Sequence, residues 1–357
     1  MNPKRYIRQT ILKEFGADGQ RKLAKAKVLV VGAGGLGVPV LTYLNAMGVG
    51  ALGLVDADVV SLSNLHRQVL YTEAMVGSLK VEAAAEQLQK QNPETELKIY
   101  PTFLNVSNAL EIIKGYDVVV DATDNFPTRY LINDACVLLK IPFVYGALHG
   151  FEGQVSVFNY QNGPTYRCLF AKMPAADAIP DCNENGVLGI LPGIVGNLQA
   201  LETVKVICGL GDVLSGTLLL YDALTQRMQR MKFSLQSKNL DINTLAESYE
   251  FDCELEIKDS PNLDIRPMLS DGLIEVIDVR TQPEFDAEHL RGAKHIPLDE
   301  VEQRSLEIDM TKSVYVICQV GIRSQKAIYI LEQKHPEKEF INVTGGMNMI
   351  DSYANTY

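Results

Sequence analysis

The sequence of 357 residues predicts an α/β protein of two domains, the first built on a doubly wound, mainly parallel sheet with an antiparallel extension. Three observations predict this architecture. Short apolar runs alternate with helical patterns from residue 27 onward, and the first of these runs ends in a glycine-rich turn. A polar stretch without periodicity then separates this region from a second, shorter α/β pattern. A chain of this length also suits two cores better than one.

The first domain is assigned to residues 1–233, and its parallel strands are apolar runs that each lie between helical segments. These runs are 27–32, 51–58, 97–101, 116–124 and 141–147. The stretch 78–91 repeats its apolar residues at helical spacing, which predicts a helix between two of the strands.

An antiparallel extension is predicted after Gly150, where the alternation changes. Runs typical of strands at 153–160 and 216–223 flank a long apolar segment at 187–210. This segment contains Pro192 and several polar residues. It therefore predicts a buried helix rather than a membrane span, which needs about 20 mostly uninterrupted apolar residues.

The second domain is assigned to residues 251–357, behind a linker at 234–250 that is polar and lacks periodicity. Its elements follow the chain as strand, strand, helix and strand, at 273–280, 313–318, 323–333 and 339–343. A segment of this length suits a small independent α/β domain.

The charge balance and the N-terminus limit the classes of function. Forty-four acidic residues against 33 basic ones give a formal net charge of −11, which argues against a broad nucleic-acid interface. The charged start, MNPKRYIRQT, is not followed by an apolar stretch, so we expect no secretory signal, no membrane partner and a cytoplasmic location. The six cysteines are scattered without a Cys-x-x-Cys pair, which predicts free thiols.

A glycine-rich motif between the first strand and the following helix predicts a nucleotide-binding turn. It fits G-x-G-x-x-G through Gly32, Gly34, Gly35 and Gly37. Glycines permit a close backbone approach, and the free N–H groups of a helix N-terminus bind phosphate oxygens. Asp56 ends the next strand, where a carboxylate accepts hydrogen bonds from ribose hydroxyls. These features alone fit an NAD-dependent dehydrogenase as well as an ATP-binding protein.

Polar residues beyond this Rossmann-like start indicate a triphosphate rather than a dinucleotide. The run that we predict to lie along the nucleotide consists of Ser63, Asn64, Leu65, His66, Arg67 and Gln68. Lys80 stands near the start of the next helix, and Asp124 with Asn125 follows a later strand. Arginine and lysine neutralise phosphate charge, and a carboxylate at the crevice of the sheet can hold Mg²⁺. ATP with Mg²⁺ is therefore the predicted ligand pair.

Together with Lys80, these motifs resemble the MoeB/ThiF adenylyltransferases, relatives of the ubiquitin-activating enzymes, over about residues 5–233. The matching segments stand in the family's order, and they are RYIRQ, GAGGLG, LVDADVVSLSNLHRQ, ATDN and VLGILPGIVGNLQALE. The resemblance implies that the glycines meet the nucleotide and that Asp56 binds ribose. The phosphates would be held by Asn64, Arg67 and Lys80.

The resemblance also implies a metal ligand and an assembly. Asp124 would hold Mg²⁺ and be essential for adenylation. The resembled family is dimeric, and Arg8 matches an arginine that reaches the ATP of the partner subunit, although an N-terminal surface charge is the alternative for Arg8.

The reaction implied by the resemblance is adenylation of a ubiquitin-like sulfur-carrier protein that ends in Gly-Gly. The C-terminal glycine carboxylate of the carrier would attack the α-phosphate of ATP and release pyrophosphate. Positioning and charge neutralisation would supply most of the catalysis.

Cys182 lies in a polar loop, MPAADAIPDCNENG, ahead of the long apolar helix. Polar loops rarely keep a cysteine for packing. Members of the resembled family carry a cysteine in this loop. This implies that Cys182 attacks the acyl-adenylate of the carrier or a persulfide, with an incidental exposed thiol as the alternative.

Cys318 ends the strand VYVIC and opens the loop CQVGIR, which leads into a helix. Six residues can wrap their N–H groups around one sulfur, and with the helix N-terminus and Arg323 they favour a thiolate or a persulfide. Together with VIDVR and EFDAEHLRGAKHIP, this loop resembles a single-domain rhodanese over about residues 251–357. The resemblance implies that Cys318 carries the persulfide. Glu288 stands where that family usually has glycine.

The sequence departs from the adenylyltransferase pattern at the usual zinc site, which consists of two Cys-x-x-Cys pairs. The first pair is replaced by Thr165 and Cys168, and no second pair follows Phe233. Four thiolates at tetrahedral spacing cannot be assembled from the cysteines that remain. We therefore expect no structural zinc and a packing role for Cys168.

The donor and the pathway stay open at this point. The rhodanese resemblance implies a cysteine desulfurase persulfide or thiosulfate as donor, and the carrier could serve molybdopterin, thiamine, tRNA thiolation or an amino-acid pathway. Three other functions also remain. The chain could activate a ubiquitin-like modifier for conjugation to lysines, with Cys182 forming a thioester. It could be a nicotinamide oxidoreductase, or a regulatory binding module without turnover.

Overall fold

The computed structural model describes residues 4–174, 186–249, 258–260, 264–319 and 321–354. The chain divides into two compact units, residues 1–252 and 253–357. In the described residues, the first unit holds an eight-stranded sheet and the second a five-stranded sheet. The predicted α/β class with a second, smaller domain is therefore confirmed.

The sheet of the first unit is mainly parallel. Its strands are β1 (Lys27–Val31), β2 (Ala51–Val55), β3 (Glu96–Tyr100), β4 (Val118–Asp121), β5 (Phe143–His149), β6 (Glu152–Phe158), β7 (Thr217–Asp222) and β8 (Arg227–Lys232). They lie in the order β3-β2-β1-β4-β5-β6-β7-β8. Strands β1 to β5 pair in parallel, and β5 to β8 pair antiparallel, as predicted.

Helices cover both faces of this sheet. They are α1 (Ile7–Thr10), α2 (Gly16–Lys25), α3 (Gly37–Met47), α4 (Lys80–Gln91), α5 (Ala109–Ile113), α6 (Phe126–Leu139), α7 (Tyr166–Leu169) and α8 (Ile190–Cys208). Short 3-10 helices cover Leu62–Asn64, Glu73–Met75 and Ser237–Leu240.

Alternate residues of β1 enter two different hydrophobic cores. Val28 and Val30 pack in one core with Leu41 of α3. Leu29 and Val31 pack in the other core with residues of α5 and α6. Because successive side chains of a strand point to opposite faces, β1 is covered on both sides, which explains its continuous apolar sequence.

Helix α8 is, in the described residues, the one helix long and apolar enough to suit a membrane span as well. It packs against α3, β5 and β6, and its Leu191 and Val195 are fully buried. The structure therefore places α8 in the core of the first unit.

The described part of the predicted linker, residues 234–249, differs from the prediction. Tyr249 is buried in the same core that Leu245 contacts. The Tyr249 hydroxyl donates a hydrogen bond of 2.7 Å to Oδ2 of Asp134 in α6. This segment therefore belongs to the first unit. A few widely spaced anchor residues hold it, and they leave no periodic pattern in the sequence.

The second unit has a parallel sheet in the order β11-β10-β12-β13-β9. Its elements are β9 (Lys258–Ser260), α9 (Arg266–Ser270), β10 (Ile274–Asp278), α10 (Gln282–Ala287), β11 (Lys294–His295), α11 (Val301–Arg304), a 3-10 helix (Ser305–Glu307), β12 (Ser313–Ile317), α12 (Ile322–Lys334), β13 (Phe340–Val343) and α13 (Gly346–Ala354). Val314 and Val316 of β12 enter one core, and Tyr315 and Ile317 enter the other. Cys318 thus follows the central strand of this sheet.

Candidate active sites

The glycine turn lies where the strand order of the large sheet reverses, between β1 and β4. Such a reversal leaves a crevice at the carboxyl ends of the strands, where ligands bind in open α/β sheets. Gly32 has φ of 98°, and a β-carbon there would lie 2.6 Å from the carbonyl oxygen of Ala122. A β-carbon on Gly37 would overlap the carbonyl oxygen of Gly32. These two glycines are therefore required by backbone packing.

Gly34 borders open space, whereas Gly35 packs closely against its neighbours. A β-carbon on Gly34 would have one neighbour among the described residues, Nε2 of Gln68 at 3.6 Å. A β-carbon on Gly35 would lie 3.1 Å from Pro192 of α8 and 3.7 Å from Cδ of Arg67. The turn, the start of α8 and Arg67 thus surround a space that a phosphate group could occupy.

Gln68 lies beside this space through its Nε2, and its Oε1 is a buried polar atom without a hydrogen-bond partner among the described residues. A buried polar atom without a partner costs about 1–3 kcal/mol. Together with the openness at Gly34, this atom indicates that the turn binds a polar ligand, which fits the predicted nucleotide.

Asp56 follows β2 and is held by two backbone donors. Its Oδ2 accepts a hydrogen bond of 2.7 Å from the N–H of Ala33, and its Oδ1 accepts one of 2.8 Å from the N–H of Asp58. Burial raises the pKa of the Asp56 carboxyl, although the charge of Lys80 and these hydrogen bonds oppose the rise. A carboxylate has about four acceptor positions. The Asp56 carboxylate therefore has acceptor positions left for the ribose hydroxyls, its ligands in the sequence prediction.

Lys80 is the first residue of α4 and is largely buried. Its Nζ forms an ion pair of 2.8 Å with Oδ2 of Asp58, two residues after Asp56. The structure therefore brings the predicted phosphate-binding lysine next to the predicted ribose-binding carboxylate. A phosphate group would compete with Asp58 for the ammonium group.

Arg67 lies beside the glycine turn and close to Asp124. One guanidinium nitrogen donates a hydrogen bond of 3.1 Å to the carbonyl oxygen of Ser63, and the same nitrogen lies 2.6 Å from Nε2 of His66. Burial lowers the pKa of Arg67, and the negative charge of Asp124 opposes this shift. Arg67 and Asp124 thus bring a positive and a negative group close together beside the glycine turn.

Two other members of the predicted run serve the local structure. The carbonyl oxygen of Asn64 accepts hydrogen bonds from the N–H groups of Arg67 and Gln68, which closes the turn that presents them. The side chain of Leu65 packs against the hydrophobic core. Any nucleotide contact of Leu65 must therefore come from its backbone.

Asp124 is exposed in the turn between β4 and α6, whereas the neighbouring Asn125 caps α6. The Oδ1 of Asn125 accepts a hydrogen bond of 2.9 Å from the N–H of Thr128, which satisfies the first turn of α6. One carboxylate combined with substrate phosphates is a usual way for proteins to bind Mg²⁺. Asp124 therefore fits a magnesium ion that arrives with ATP, and no group of three or more metal-binding side chains occurs in the described residues.

Arg129 supports this turn and was missed by the sequence analysis. It is buried in α6, and its guanidinium donates a hydrogen bond of 3.0 Å to the carbonyl oxygen of Thr123. Thr123 in turn donates from its N–H and its hydroxyl to Oδ1 of Asp121. These bonds fix the backbone immediately before Asp124. The signal that could have found it was an arginine in the helix that directly follows Asp124 and Asn125.

The structure does not bring Arg8 to the glycine turn of its own chain. Arg8 is exposed on α1, and the adjacent Gln9 donates a hydrogen bond of 3.0 Å to the carbonyl oxygen of Met47. Met47 ends α3, and the glycine turn lies at the other end of that helix, roughly 15 Å away at a rise of about 1.5 Å per residue.

Cys182 lies outside the described residues. Where the chain is described again, Gly189 lies so close to His66 that a β-carbon would overlap the carbonyl oxygen of His66. Gly196 of α8 similarly lies against the carbonyl oxygen of Leu36, 2.6 Å from the place of its β-carbon. The start of α8 is therefore pressed against the nucleotide site.

The second unit presents Cys318 at the N-terminus of a helix. The Cys318 sulfur is fully buried and accepts a hydrogen bond of 3.1 Å from the N–H of Gly321, which precedes α12. The Ser324 hydroxyl lies 3.5 Å from the same sulfur and donates a hydrogen bond of 2.6 Å to Oδ1 of Asn342. Backbone N–H groups and a helix N-terminus stabilise negative charge, so the site suits a sulfur anion.

Arg323 has a further partner that the sequence analysis did not assign. Its guanidinium forms hydrogen bonds of 2.7 and 2.8 Å to the carboxylate of Glu284. Burial raises the pKa of Glu284, but the bonds from Arg323 and Thr281 outweigh it and lower the pKa to about 2. Much of the Arg323 charge is thus balanced by Glu284, and the backbone is left as the main stabiliser of the sulfur.

Glu288 adopts an extended backbone at the end of α10, with φ of −164°. Its carbonyl oxygen accepts a hydrogen bond of 2.7 Å from Arg280. This conformation is open to any residue, so the position does not need the glycine that the resembled family usually has there.

Comparisons with known proteins identify the family of each domain. Residues 6–242 match the ThiF family, and residues 263–352 match the rhodanese-like domain. The adenylyltransferase and sulfurtransferase MOCS3 of Sus scrofa is 41% identical over 385 residues, covering 96% of this chain and 84% of that protein. The sulfur carrier protein adenylyltransferase of Thermus thermophilus is 54% identical over 232 residues, covering 64% of this chain and 86% of that protein.

A solved structure shares the fold of the first unit. The crystal structure of E. coli MccB with ATP has a TM-score of 0.59 and 23% sequence identity, and the match covers 66% of this chain and 73% of that chain. At this identity the likeness concerns the fold alone.

Proposed function

The chain belongs to the ThiF family and has a rhodanese-like second domain, and we propose on this basis that it adenylates the C-terminal glycine of a ubiquitin-like carrier ending in Gly-Gly. The coarser activity follows from the relatives directly. The protein is an adenylyltransferase and sulfurtransferase that activates a sulfur carrier protein and transfers sulfur to it. A nicotinamide oxidoreductase, which the glycine motif alone allowed, has no support in these matches.

In the proposed complex with ATP, each part of the nucleotide meets a different group of the first unit. The N–H groups of Gly34 and Gly35 at the start of α3 bind phosphate oxygens, whereas those of Gly32, Ala33 and Val38 already donate within the chain. Asp56 accepts hydrogen bonds from the ribose. Arg67 and Lys80 neutralise phosphate charge. The Oε1 of Gln68, an acceptor without a partner among the described residues, accepts a hydrogen bond from a hydroxyl or amino group of the nucleotide.

Asp124 is the residue that would hold Mg²⁺, which would supply charge neutralisation at the phosphates. The carrier carboxylate attacks the α-phosphorus, and the bond to the β-phosphate oxygen breaks, so pyrophosphate leaves and the carrier becomes an acyl-adenylate. The chain's own contribution is to align the two reactants and to balance charge in the crevice between β1 and β4.

In the sulfur step that we propose, a persulfide on Cys318 attacks the carbonyl carbon of the acyl-adenylate and AMP leaves. The product is an acyl disulfide between the carrier and Cys318. A second thiol must then cleave the sulfur–sulfur bond, so that the carrier leaves as a thiocarboxylate and the two cysteines become a disulfide. We assign that thiol to Cys182. The donor that loads Cys318 is a cysteine desulfurase persulfide or thiosulfate.

A homodimer is part of the proposal, because Arg8 lies at the far end of α3 from its own glycine turn. In a dimer that pairs these two regions, Arg8 would add a positive charge to the partner's ATP. We also place the protein in the cytoplasm, where free thiols persist.

The observation that carries the adenylation proposal is the convergence of Arg67, Asp124 and the unsatisfied Gln68 around the open side of the glycine turn. The test is ATP–pyrophosphate exchange in the presence of a carrier ending in Gly-Gly. We expect Asp124→Ala to lower the exchange rate by roughly 100-fold or more. Asp212→Ala, which removes an exposed carboxylate outside the site, should leave it unchanged. Near-normal exchange by folded Asp124→Ala would refute the assignment.

A further inference from the structure

Two short helical turns of the first unit meet at the sulfur of Cys168, although 68 residues separate them. The first runs from Thr165 to Cys168 at the start of α7, and the second from Gln236 to Asn239 at the 3-10 helix Ser237–Leu240. The same type of hydrogen bond closes both turns, from the N–H of the last residue to the carbonyl oxygen of the first. The N–H of Cys168 donates to the carbonyl oxygen of Thr165 at 3.0 Å, and the N–H of Asn239 donates to that of Gln236 at 2.9 Å.

The other three end residues of these turns, Thr165, Gln236 and Asn239, surround the Cys168 sulfur with hydrogen-bonding groups. The N–H of Gln236 donates to it at 3.3 Å and Nδ2 of Asn239 at 3.4 Å, and the hydroxyl of Thr165 lies at 3.4 Å. Nε2 of Gln236 also donates to the carbonyl oxygen of Cys168 at 3.4 Å. We refer to Thr165, Cys168, Gln236 and Asn239 as the turn-pair cluster.

The cluster is polar, which corrects the packing role that the sequence analysis expected for Cys168. The residue is 7% exposed. Burial raises the pKa of its thiol, but the hydrogen bonds from Thr165, Gln236 and Asn239 outweigh burial and lower it. The surroundings therefore stabilise negative charge on this sulfur, whereas a packing cysteine would lie in apolar surroundings with a raised pKa.

The spacing of the cluster is that of a structural zinc site, but its side chains do not fit the metal. Two i, i+3 pairs that meet at one point are the arrangement of two Cys-x-x-Cys pairs around zinc. Here one position of the four carries a thiol. Gln236 and Asn239 direct N–H groups at the sulfur, where a metal would need lone pairs.

We propose that the Cys168 sulfur takes over the structural role of a metal ion, as the hydrogen-bond acceptor that joins the two turns, and that the four positions keep the spacing of a tetrahedral metal site without binding metal. The cluster and the bond from Tyr249 to Asp134 then hold the segment after β8 on the first unit. The stability of this segment depends on hydrogen bonds and is independent of metal supply.

The proposal predicts that cysteines at the other three positions create a zinc site. The variant Thr165→Cys/Gln236→Cys/Asn239→Cys should bind one Zn²⁺ per full-length chain. With Co²⁺ it should show the intense visible absorption of a tetrahedral thiolate site. The matched control is Thr165→Cys/Ser237→Cys/Asn239→Cys, which has equally many cysteines but one of them moved by one residue. It should show neither property.

The wild-type protein supplies a second test, which holds even where the triple variant fails to fold. Elemental analysis should find far less than one zinc per chain, and a chelator should leave the Tm unchanged. Cys168→Ala leaves the donors of Gln236 and Asn239 without their acceptor and should lower the Tm by about 2–8 °C.

Three results would overturn the proposal. The first is stoichiometric zinc in the wild-type protein that only unfolding releases. The second is a folded triple variant without the tetrahedral Co²⁺ spectrum, because the four positions would then lack metal-site geometry. The third is an unchanged Tm for Cys168→Ala, which would show that the hydrogen bonds to this sulfur do not hold the two turns together.

Discussion

Gly37 lies so close to the carbonyl oxygen of Gly32 that a β-carbon at position 37 would overlap that oxygen. The start of α3 is thereby held against the end of β1. Gly34, two residues after Gly32, lies in the same turn but borders open space. The glycines of one motif thus serve two purposes, packing and access.

This division predicts opposite effects for two alanine substitutions. Gly37→Ala should lower the free energy of unfolding by about 1–3 kcal/mol, because the new methyl group forces backbone apart. Gly34→Ala should leave stability nearly unchanged and raise the KM for ATP, because its methyl group enters the phosphate space. Thermal unfolding and ATP-dependent exchange measure the two effects. A destabilised Gly34→Ala protein with normal KM would contradict this account of the turn.

The ion pair between Glu284 and Arg323 predicts how the second unit responds to acid. The pKa of Glu284 is lowered from 4.5 to about 2 in the folded protein. A depressed pKa gives stability that is fully present above the unfolded value and is lost as the pH falls towards the folded value. The second unit should therefore lose stability between about pH 4.5 and pH 2, through the interval set by this shift.

Glu284→Gln removes this titration, so the Tm of the variant should fall less steeply over the same interval. Calorimetry of the full-length protein at several pH values provides the measurement. Asp299→Asn, which removes an exposed carboxylate of the same unit, serves as the control and should keep the wild-type slope. Equal slopes of Tm against pH for Glu284→Gln and the wild type would show that the ion pair does not contribute to the loss of stability in acid.

The position of Arg8 predicts complementation between subunits. Arg8→Ala and Asp124→Ala should each reduce pyrophosphate exchange as homodimers. In a mixed dimer, one site combines an intact Asp124 with the partner's intact Arg8, so roughly half of the sites in mixed dimers should regain activity. This estimate follows from the two-fold symmetry of a dimer, which makes its two sites equivalent. If mixed dimers, identified by mass, regain no pyrophosphate exchange activity, Arg8 does not act in the partner's site.

The sequence predicted the elements whose signal is local. Patterns within a few residues predicted the strands around the glycine turn and the turn itself. They also predicted that Asp56 and Asp124 follow parallel strands. Periodicity and glycine spacing report such patterns directly.

Contacts between distant segments could not be predicted in this way. Tyr249 reaches Asp134 over 115 positions, and Arg323 reaches Glu284 over 39. Gln236 and Asn239 have the i, i+3 spacing of a Cys-x-x-Cys pair. This spacing indicates a metal site in a sequence only when both residues are cysteine. The sequence contains many similar polar side chains, and only tertiary packing determines which of them pair. The sequence therefore predicted a linker at 234–250, whereas the structure shows a packed segment over residues 234–249.

The central claim is that the two units divide the reaction, with adenylation in the first and persulfide chemistry at Cys318 in the second. Cys318→Ala should therefore leave pyrophosphate exchange nearly unchanged, because the residues of the proposed ATP site all belong to the first unit. It should abolish sulfur transfer from a persulfide or thiosulfate donor, since no other cysteine follows β12. Free sulfide should partly restore product, because it can attack the acyl-adenylate directly.

The most direct test is the intact mass of the carrier after incubation with ATP and a persulfide or thiosulfate donor. With the wild-type protein, we predict that the carrier gains the mass difference between one sulfur and one oxygen atom. With Cys318→Ala, the carrier should keep its original mass while pyrophosphate exchange continues at the wild-type rate. Formation of the thiocarboxylate by Cys318→Ala at the wild-type rate would contradict the account.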